Sequence, residues 1–200
     1  KDPVFVLYNQ LKMKNETDIA PVVAAATKEI TSNMKIYMAG IMKMKQNQPL
    51  YADANLTLRV SYGKVEGYQP VDGVYYKHFT TLKGIMEKDN PEIYDYDVPD
   101  RLKELYEKKD FGRYESDGSV PVCFVASNHT TGGNSGSPVV NGNGELIGIN
   151  FDRVWEGTMS DIMFDPEVCR NISLDMRFVL FIVDKYAGAG YLLNEMKIVE

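Results

Sequence analysis

The most informative stretch of this 200-residue sequence runs from residue 130 to residue 144 and reads TTGGNSGSPVVNGNG. A nucleophilic serine needs a sharp turn, and flanking glycines let the backbone coil so that the hydroxyl projects from it. Such a turn also lets two amide N–H groups converge where negative charge develops on a tetrahedral intermediate. The pattern therefore predicts Ser135 as a nucleophile, with the backbone N–H groups of Gly133 and Ser135 as its oxyanion hole.

A glycine-serine loop with no catalytic role is the competing interpretation of this stretch. That interpretation suits a bare G-x-S-G tetrapeptide, which is a weak motif by itself. The run here is longer, since it continues through Ser137 and Pro138 into two valines and the hairpin signal NGNG at 141–144. The length of the run favours the catalytic interpretation.

Segments on both sides of this loop have the pattern of short strands. They are β-branched or alternating, and Gly-Asn and Gly-rich turns separate them at intervals typical of a small antiparallel barrel. Residues 55–62 alternate apolar and polar side chains in a period of two. The predicted strands are residues 55–62, 120–126, 137–140, 145–151 and 171–175.

Helical periodicity precedes the strands. Apolar residues recur at steps of three and four from Pro21 to about residue 47, with Asp18 as a candidate cap and Gln48-Pro49 as the end. Residues 3–14 have a similar pattern. We therefore expect residues 1–50 to be the end of a helical domain and residues 51–200 to be a second, β-rich domain.

Helical segments are also predicted inside the β-rich domain. An insertion at about 73–118 contains two short candidates, and the last segment of the chain is a helix interrupted near Gly188 and Gly190. These predicted helices are residues 80–88, 99–108 and 176–196.

Composition excludes several classes of function. The net charge of -6 and the absence of a Lys/Arg run disfavour nucleic-acid binding. Apolar runs are too short for a membrane span, which needs roughly 18 such residues. The sequence begins with Lys1, so we expect that any preceding segment, including a secretion signal, has been removed.

Two cysteines, Cys123 and Cys169, are too few for a disulfide scaffold, and they lack metal-ligand spacing with His78 or His129. Two buried thiols are the simpler interpretation. A disulfide between them is the alternative that the sequence leaves open, because only geometry decides whether two cysteines can be bridged. No metal or other cofactor is predicted.

The Gly-Asn-Ser-Gly-Ser-Pro loop resembles that of the glutamyl endopeptidases and of the bacterial dipeptidyl peptidases of chymotrypsin-like fold. Downstream residues 145–153 (ELIGINFDR) and 171–178 (NISLDMRF) favour the dipeptidyl peptidases. The resemblance runs from about Pro21 to the end and includes the helical segment, which the endopeptidases lack. It implies a mixed fold: the second, six-stranded antiparallel β-barrel of a chymotrypsin-like peptidase, helices from an inserted helical domain and a carboxy-terminal helix.

The same resemblance assigns a specificity pair. In this family the residue eighteen positions after the nucleophile, here Arg153, lies at the base of the primary specificity pocket. Arginine there goes with preference for Asp or Glu, as in the dipeptidyl peptidase 11 type, and a guanidinium can bind a carboxylate bidentately. Asp152 matches the family's anchor for the substrate's free amino terminus. A surface Asp-Arg pair of little energetic value is the alternative.

Serine attack also needs a histidine base and a carboxylate, which this fold supplies from its first barrel. The resemblance extends to neither of the two histidines, His78 and His129. We therefore expect a carboxy-terminal piece of a longer exopeptidase that releases dipeptides ending in Asp or Glu, inactive by itself. A glutamyl-endopeptidase-like enzyme and a non-catalytic peptidase-like interaction module are the alternatives.

The resemblance also implies partners and a location. Substrates would be peptides with a free amino terminus, and the full enzyme would be a homodimer that binds neither nucleic acid nor membrane. The expected location is the periplasm or cell surface of a Gram-negative bacterium.

Overall fold

The computed structural model of the chain describes residues 2–46 and 58–199. Two compact units are present, residues 1–55 and residues 56–200. The first is helical, and the second combines helices with an antiparallel sheet. Their assignment to two domains of a longer protein stays a prediction.

The first unit consists of α1 (Pro3–Lys14), a π-helical turn (Asn15–Ile19) and α2 (Ala20–Met44). Helix α1 begins after Asp2, whose carboxylate accepts a hydrogen bond from the Val4 N–H at 2.9 Å. Pro3 takes the first helical position, where its missing N–H costs nothing. Both helices predicted for this part of the chain are confirmed.

The predicted cap at Asp18 is wrong. The chain stays helical from α1 through the π-helical turn into α2, so Asp18 has no free helix terminus to cap. Its carboxylate instead accepts a hydrogen bond from the Thr17 hydroxyl at 2.8 Å. The predicted helix end at Gln48-Pro49 lies outside the described residues.

The second unit is built on a five-stranded antiparallel sheet with strand order β3-β4-β7-β6-β5. A separate antiparallel pair, β1 with β2, precedes it in the chain. The strand bounds are β1 Tyr68–Val71, β2 Val74–Tyr76, β3 Phe79–Thr81, β4 Pro121–Ala126, β5 Pro138–Val140, β6 Leu146–Arg153 and β7 Asn171–Asp175.

The main hydrophobic core lies where short helices pack against this sheet. These helices are α3 (Leu82–Glu87), α4 (Asp100–Glu107) and α5 (Met176–Phe181). Phe181 on α5 is completely buried, and its ring lies against those of Phe111 and Tyr114. The buried cluster comprises Leu82, Val98, Leu102, Leu105, Phe111, Tyr114, Val120, Val122 and Phe181.

Most of the strands predicted around the serine loop are confirmed. Strands β4, β5, β6 and β7 coincide with the predicted segments to within two residues at each end. The predicted insertion at about 73–118 is not purely helical, however, because it also contains β2 and β3. Strand β3 pairs with β4 and forms one edge of the main sheet, which its β-branched and aromatic residues suit.

The described residues form an open sheet, and no pairing of β3 with β5 closes it into the expected six-stranded barrel. The strand predicted at 55–62 is wrong over its described part, 58–62, where no strand forms. Leu58, Val60 and Tyr62 are 93, 81 and 89 % exposed, so no apolar surface covers their side of the chain. This segment instead contacts the loop after β4, where the Ser61 hydroxyl donates to the His129 carbonyl at 2.6 Å.

The end of the chain follows the expected interrupted pattern. Helix α5 continues into a π-helical segment (Ile182–Tyr186), and a 3-10 helix (Gly190–Glu195) comes after it. Gly188 lies in the break with φ of +66°, a left-handed conformation that glycine adopts without strain. The interruption predicted near Gly188 and Gly190 is confirmed.

Both cysteines are free thiols. Cys123 lies opposite Leu174 in the β4–β7 ladder, whereas Cys169 precedes the other end of β7. At about 3.3 Å per residue the two lie far beyond the roughly 7 Å between Cα atoms that a disulfide tolerates. The simpler interpretation of two unbridged thiols therefore holds, and burial raises the pKa of Cys123.

Candidate functional site

Ser135 lies in a turn that connects the end of β4 to β5. The Asn134 N–H donates to the Thr131 carbonyl at 3.1 Å, and the Ser137 N–H donates to the Asn134 carbonyl at 3.0 Å. Gly133 and Gly136 adopt φ of +97° and +83° on either side of the serine. Only glycine takes such values cheaply, so these two glycines allow the coil that leaves Ser135 exposed.

Strand β6 fixes this turn in place. The Gly136 N–H donates to the Asn150 carbonyl at 2.7 Å, and the Asn150 N–H donates to the Ser137 carbonyl at 2.9 Å. The Ser135 hydroxyl donates to the Phe151 carbonyl at 3.3 Å. The β6–β7 register shifts between Asn150 and Asp152, and bulges of this kind often re-aim groups next to functional sites.

A buried polar network supports the turn from behind. The Asn150 side-chain amide donates to the Asn134 carbonyl at 3.2 Å, and the Asn171 amide donates to the Asn150 side-chain oxygen at 2.9 Å. Asn150 and Asn171 are only 5 and 1 % exposed. The Asn134 side-chain oxygen in turn accepts from the Thr131 N–H at 3.0 Å. The position of the turn therefore depends on a chain of asparagines from β7 to the serine.

The two amides predicted as the oxyanion hole belong to the same turn. In the part of the chain that the structure describes, neither the Gly133 N–H nor the Ser135 N–H donates a hydrogen bond to another protein group. Two exposed donors without a protein acceptor are what an oxyanion hole requires before substrate arrives. The catalytic roles of Ser135 and Gly133 stay predictions.

Arg153 is the last residue of β6 and lies two residues beyond Phe151. Its Nη1 donates to the Ser160 hydroxyl at 2.6 Å, and its Nη2 donates to the Asp161 carboxylate at 2.6 Å. The Arg153 side chain is 23 % exposed and that of Asp161 is 48 % exposed. The guanidinium is thus largely covered and already has a carboxylate partner from the protein.

A small depression of about 10 Å³, with room for roughly one water molecule, lies beside this ion pair. Residues from the serine loop, from β6 and from the loop after β6 share it, including His129, Thr130, Arg153, Ser160 and Phe164. The depression therefore joins the predicted nucleophile loop to the predicted specificity residue.

The ion pair affects the protonation of both partners. The hydrogen bond from Arg153 lowers the pKa of Asp161 below its usual range, and the same contact raises the pKa of Arg153. Both groups are therefore charged at neutral pH. An acidic ligand entering the depression would meet a cation that is already neutralised.

Asp152 is more exposed than the adjacent Arg153. Its carboxylate accepts a hydrogen bond from the Arg153 backbone N–H at 2.8 Å, and the side chain is exposed. Successive side chains of a strand point to opposite faces, which agrees with Arg153, and not Asp152, lining the depression. The contact predicted between Asp152 and the amino terminus of a substrate stays a prediction.

Neither histidine is hydrogen-bonded to the serine. His129 Nε2 lies 3.1 Å from the Ser160 carbonyl oxygen, and its ring packs edge-on against Phe164 with centroids 5.0 Å apart. The His78 ring packs beside Phe79 at 5.0 Å at the start of β3. The expectation that the catalytic base lies outside this sequence stays a prediction.

The sequence profile described as Peptidase S46 matches residues 1–198 of the chain. The chain belongs to this family. An Asp/Glu-specific dipeptidyl-peptidase of Capnocytophaga gingivalis is 53 % identical over 193 residues, and one of Flavobacterium psychrophilum is 52 % identical over 198 residues. These matches cover 96 and 99 % of the chain but only 27 and 28 % of the relatives, so the chain spans about a quarter of their length.

A solved structure supports the same peptidase S46 relationship. The crystal structure of Porphyromonas endodontalis DPP11 in complex with the dipeptide Arg-Asp matches with a TM-score of 0.83 and 49 % identity. The match covers 96 % of this chain and 27 % of that one. The fold of the chain is therefore similar to that of a DPP11 segment.

Overall sequence identity does not distinguish the Asp/Glu-specific relatives of this chain from other dipeptidyl-peptidases. A dipeptidyl-peptidase 7 of Phocaeicola vulgatus is 48 % identical over 201 residues, close to the values for the Asp/Glu-specific relatives. Specificity must therefore be argued from individual residues of the S46 chain, above all Arg153.

The sequence analysis did not identify the polar side chains that contact the Ser135 turn and Arg153. Asn150, Asn171 and Ser173 are polar residues at buried strand positions, and that pattern could have indicated a polar network. Ser160 and Asp161 carry no such signal, because only the fold brings them to Arg153.

The described residues, 2–46 and 58–199, contain neither a membrane-spanning helix nor a cluster of metal-ligating side chains. No helix there is long and apolar enough to cross a bilayer, and no group of three or more His, Cys, Asp or Glu side chains could hold a metal ion.

Proposed function

We propose that this chain is the nucleophile-bearing part of a serine exopeptidase of family S46 that releases dipeptides and prefers Asp or Glu before the scissile bond. In this proposal the open sheet is part of a chymotrypsin-like second barrel. The rest of the parent protein would supply the first barrel. The names of the S46 relatives support the substrate class, and Arg153 supports it from this chain.

The observation that carries the proposal is that strand β6 contacts the Ser135 turn and ends at Arg153. The Ser135 hydroxyl contacts the Phe151 carbonyl of β6 at 3.3 Å, and Arg153 follows two residues later. At about 3.3 Å per residue, the backbone of Arg153 lies roughly 7 Å farther along the strand. A substrate whose carbonyl carbon is at Ser135 can therefore place the adjacent side chain near the guanidinium.

The chemistry then assigns a role to each residue. Ser135 Oγ attacks the carbonyl carbon while a histidine from outside this chain takes its proton. The Gly133 and Ser135 N–H groups donate to the resulting oxyanion, and the histidine gives its proton to the amine that leaves as the peptide bond breaks. The remaining acyl-enzyme is hydrolysed by water, which regenerates the serine. Arg153 pairs with the acidic side chain, and Asp152 pairs with the substrate ammonium two residues away.

A first experiment measures kcat/KM of the full-length enzyme for matched aspartyl and leucyl dipeptidyl substrates. Ser135→Ala should reduce activity on both by several orders of magnitude. Arg153→Gly should lower the aspartyl-to-leucyl ratio by about 30-fold or more, because the carboxylate loses its cation. An unchanged ratio would mean that Arg153 does not bind the acidic side chain, and it would contradict the proposed preference for Asp or Glu.

The same substrates with a blocked amino terminus separate an exopeptidase from the alternatives. Asp152→Ala should weaken all free dipeptidyl substrates alike, since it affects the shared ammonium and not the variable side chain. Equal cleavage of blocked and free substrates by wild type would favour a glutamyl-endopeptidase-like enzyme. A full-length protein inactive on every substrate would favour a non-catalytic interaction module.

We also propose that the full enzyme is a homodimer in the periplasm or at the surface of a Gram-negative bacterium, acting on peptides with a free amino terminus. Light scattering of the purified enzyme tests the dimer. Cell fractionation with activity assays tests the location.

A further inference from the structure

The Arg153 guanidinium is already neutralised by the protein. Asp161 accepts from Nη2 and the Ser160 hydroxyl accepts from Nη1, each at 2.6 Å. A bidentate grip on a carboxylate needs two parallel N–H donors of the planar guanidinium. Two of the five guanidinium N–H donors, one on each Nη, are therefore occupied before any substrate arrives.

The loop that carries Asp161 is attached to the rest of the unit near both ends. At its start, the Tyr68 hydroxyl donates to the Glu156 carboxylate at 2.9 Å. Near its end, Arg170 donates from Nη1 to the Pro166 carbonyl at 2.9 Å and from Nη2 to the Gly67 carbonyl at 3.2 Å. These contacts hold the 3-10 segment Trp155–Asp161 against the end of β6, so Asp161 is placed by the fold.

The Asp161 side chain is nevertheless about half exposed, whereas that of Arg153 is mostly covered. An exposed carboxylate regains water when it turns outward, whereas a covered guanidinium that lost its partner would stay partly desolvated. Exchange of one carboxylate for another is therefore easier by movement of Asp161 than by movement of Arg153.

We propose that Asp161 is a specificity-determining counter-ion that pairs with Arg153 in the empty pocket and competes with the acidic side chain of the substrate. This inference rests on the proposed function, because it takes Arg153 as the residue that binds Asp or Glu. When an acidic side chain enters, it displaces the Asp161 carboxylate from Nη2. When an apolar side chain enters, Asp161 stays in place and Arg153 is not left unpaired.

Asp161 therefore weakens binding of acidic substrates and limits the penalty against apolar ones. A protein without this carboxylate should discriminate more strongly between the two. Asp161→Asn tests this directly, since it keeps the shape and an oxygen acceptor for Nη2 but removes the negative charge.

The experiment measures KM and kcat of the full-length enzyme for matched aspartyl, glutamyl and leucyl dipeptidyl substrates. Asp161→Asn should lower KM for the acidic substrates by about three- to tenfold, a range typical of a partly exposed ion pair. The KM for the leucyl substrate should stay the same or rise. The inhibition constant of an aspartyl dipeptide product should fall by the same factor as KM.

Glu167→Gln is the matched control. Glu167 lies on the same loop, its side chain is exposed, and the substitution removes the same charge. Equal effects of the two variants would overturn the proposal in favour of a general charge effect. A higher KM for acidic substrates in Asp161→Asn would overturn it too, because Asp161 would then hold Arg153 in its binding position.

A double-mutant comparison separates this inference from the proposed function. In an Arg153→Gly background, Asp161→Asn should have no effect on the aspartyl-to-leucyl ratio. If Arg153→Gly by itself leaves that ratio unchanged, the proposed function fails. If Arg153→Gly lowers the ratio but Asp161→Asn changes nothing in the wild-type background, only the role of Asp161 fails.

Discussion

Asn150 connects the serine turn to the sheet more extensively than any side chain that the sequence pattern selected. Its backbone N–H and carbonyl bond to Ser137 and Gly136, while its side chain bonds to Asn134 and Asn171. Because the residue is buried, its polar groups have few alternatives to these partners. The Asn150 side chain thus links β7 to the turn that holds Ser135 by hydrogen bonds.

Replacement of Asn150 by alanine should therefore affect stability and activity together. The change leaves the buried Asn171 amide with only the longer contact to the Ser173 hydroxyl, at 3.5 Å, and we expect it to cost about 1–3 kcal/mol of unfolding free energy. It also releases the Asn134 carbonyl, so kcat/KM of the full-length enzyme should fall. Urea unfolding and kinetics measure the two effects. Asn143→Ala, at an exposed hairpin position, is the control, and an equal loss there would contradict the role of Asn150.

At the scale of elements, the three central strands and the edge strand β5 were predictable, whereas the edge strand β3 was not. Strands β4, β6 and β7 have neighbours on both sides, so burial imposes the β-branched pattern that the sequence displays. Residues 58–62 have the same alternation, but no element covers their apolar side chains, and no strand forms. An alternating pattern shows that a segment can form a strand, whereas strand formation also requires a neighbouring strand with which the segment can pair.

Some residues of the candidate site could likewise be predicted from the sequence, and others could not. Its residues on the regular strand β6 and on the glycine turn could be selected from spacing and resemblance. Ser160 and Asp161 could not, because contacts between residues far apart in sequence position the loop after β6, among them Tyr68 with the Glu156 carboxylate and Arg170 with the Gly67 carbonyl. Long-range contacts of this kind leave no periodic trace in the sequence.

Several hydrogen bonds attach the insertion to the last segment of the chain, and one of them is partly buried and involves a tyrosine. The Tyr114 hydroxyl, in the 3-10 turn Gly112–Tyr114, donates to the Asp184 carboxylate at 2.9 Å. Burial, together with this hydrogen bond, raises the pKa of Tyr114 to about 12. The folded state therefore holds this proton more tightly than the unfolded chain, in which tyrosine has a pKa of about 10.

This raised pKa predicts how stability depends on pH. The contribution of Tyr114 should be fully present below about pH 10 and be lost as the pH rises through the folded-state pKa. Tyr114→Phe should cost about 1 kcal/mol of unfolding free energy at neutral pH and remove this part of the alkaline decline. Urea unfolding at a series of pH values measures both. Tyr94→Phe, at a 94 % exposed position, is the control and should change neither.

At the scale of the whole molecule, the described residues of the chain include a serine turn but no base hydrogen-bonded to Ser135. Its histidines are engaged away from the Ser135 hydroxyl, which donates to a backbone carbonyl. The relatives of this S46 chain are almost four times as long as the part that it matches. The missing catalytic groups are therefore expected in the remainder of the parent protein.

The isolated 200-residue chain should consequently be inactive while the full-length enzyme cleaves an aspartyl dipeptidyl chromogenic substrate. A serine hydroxyl without an adjacent base is a weak nucleophile at neutral pH, so correct folding of the turn does not suffice for catalysis. Circular dichroism and a cooperative urea transition establish that the isolated chain is folded when it is assayed. If the folded chain cleaves the substrate and Ser135→Ala abolishes that activity, the base lies within this sequence. His129→Ala and His78→Ala then identify it, and His129 is the first to test because it lines the depression beside Arg153.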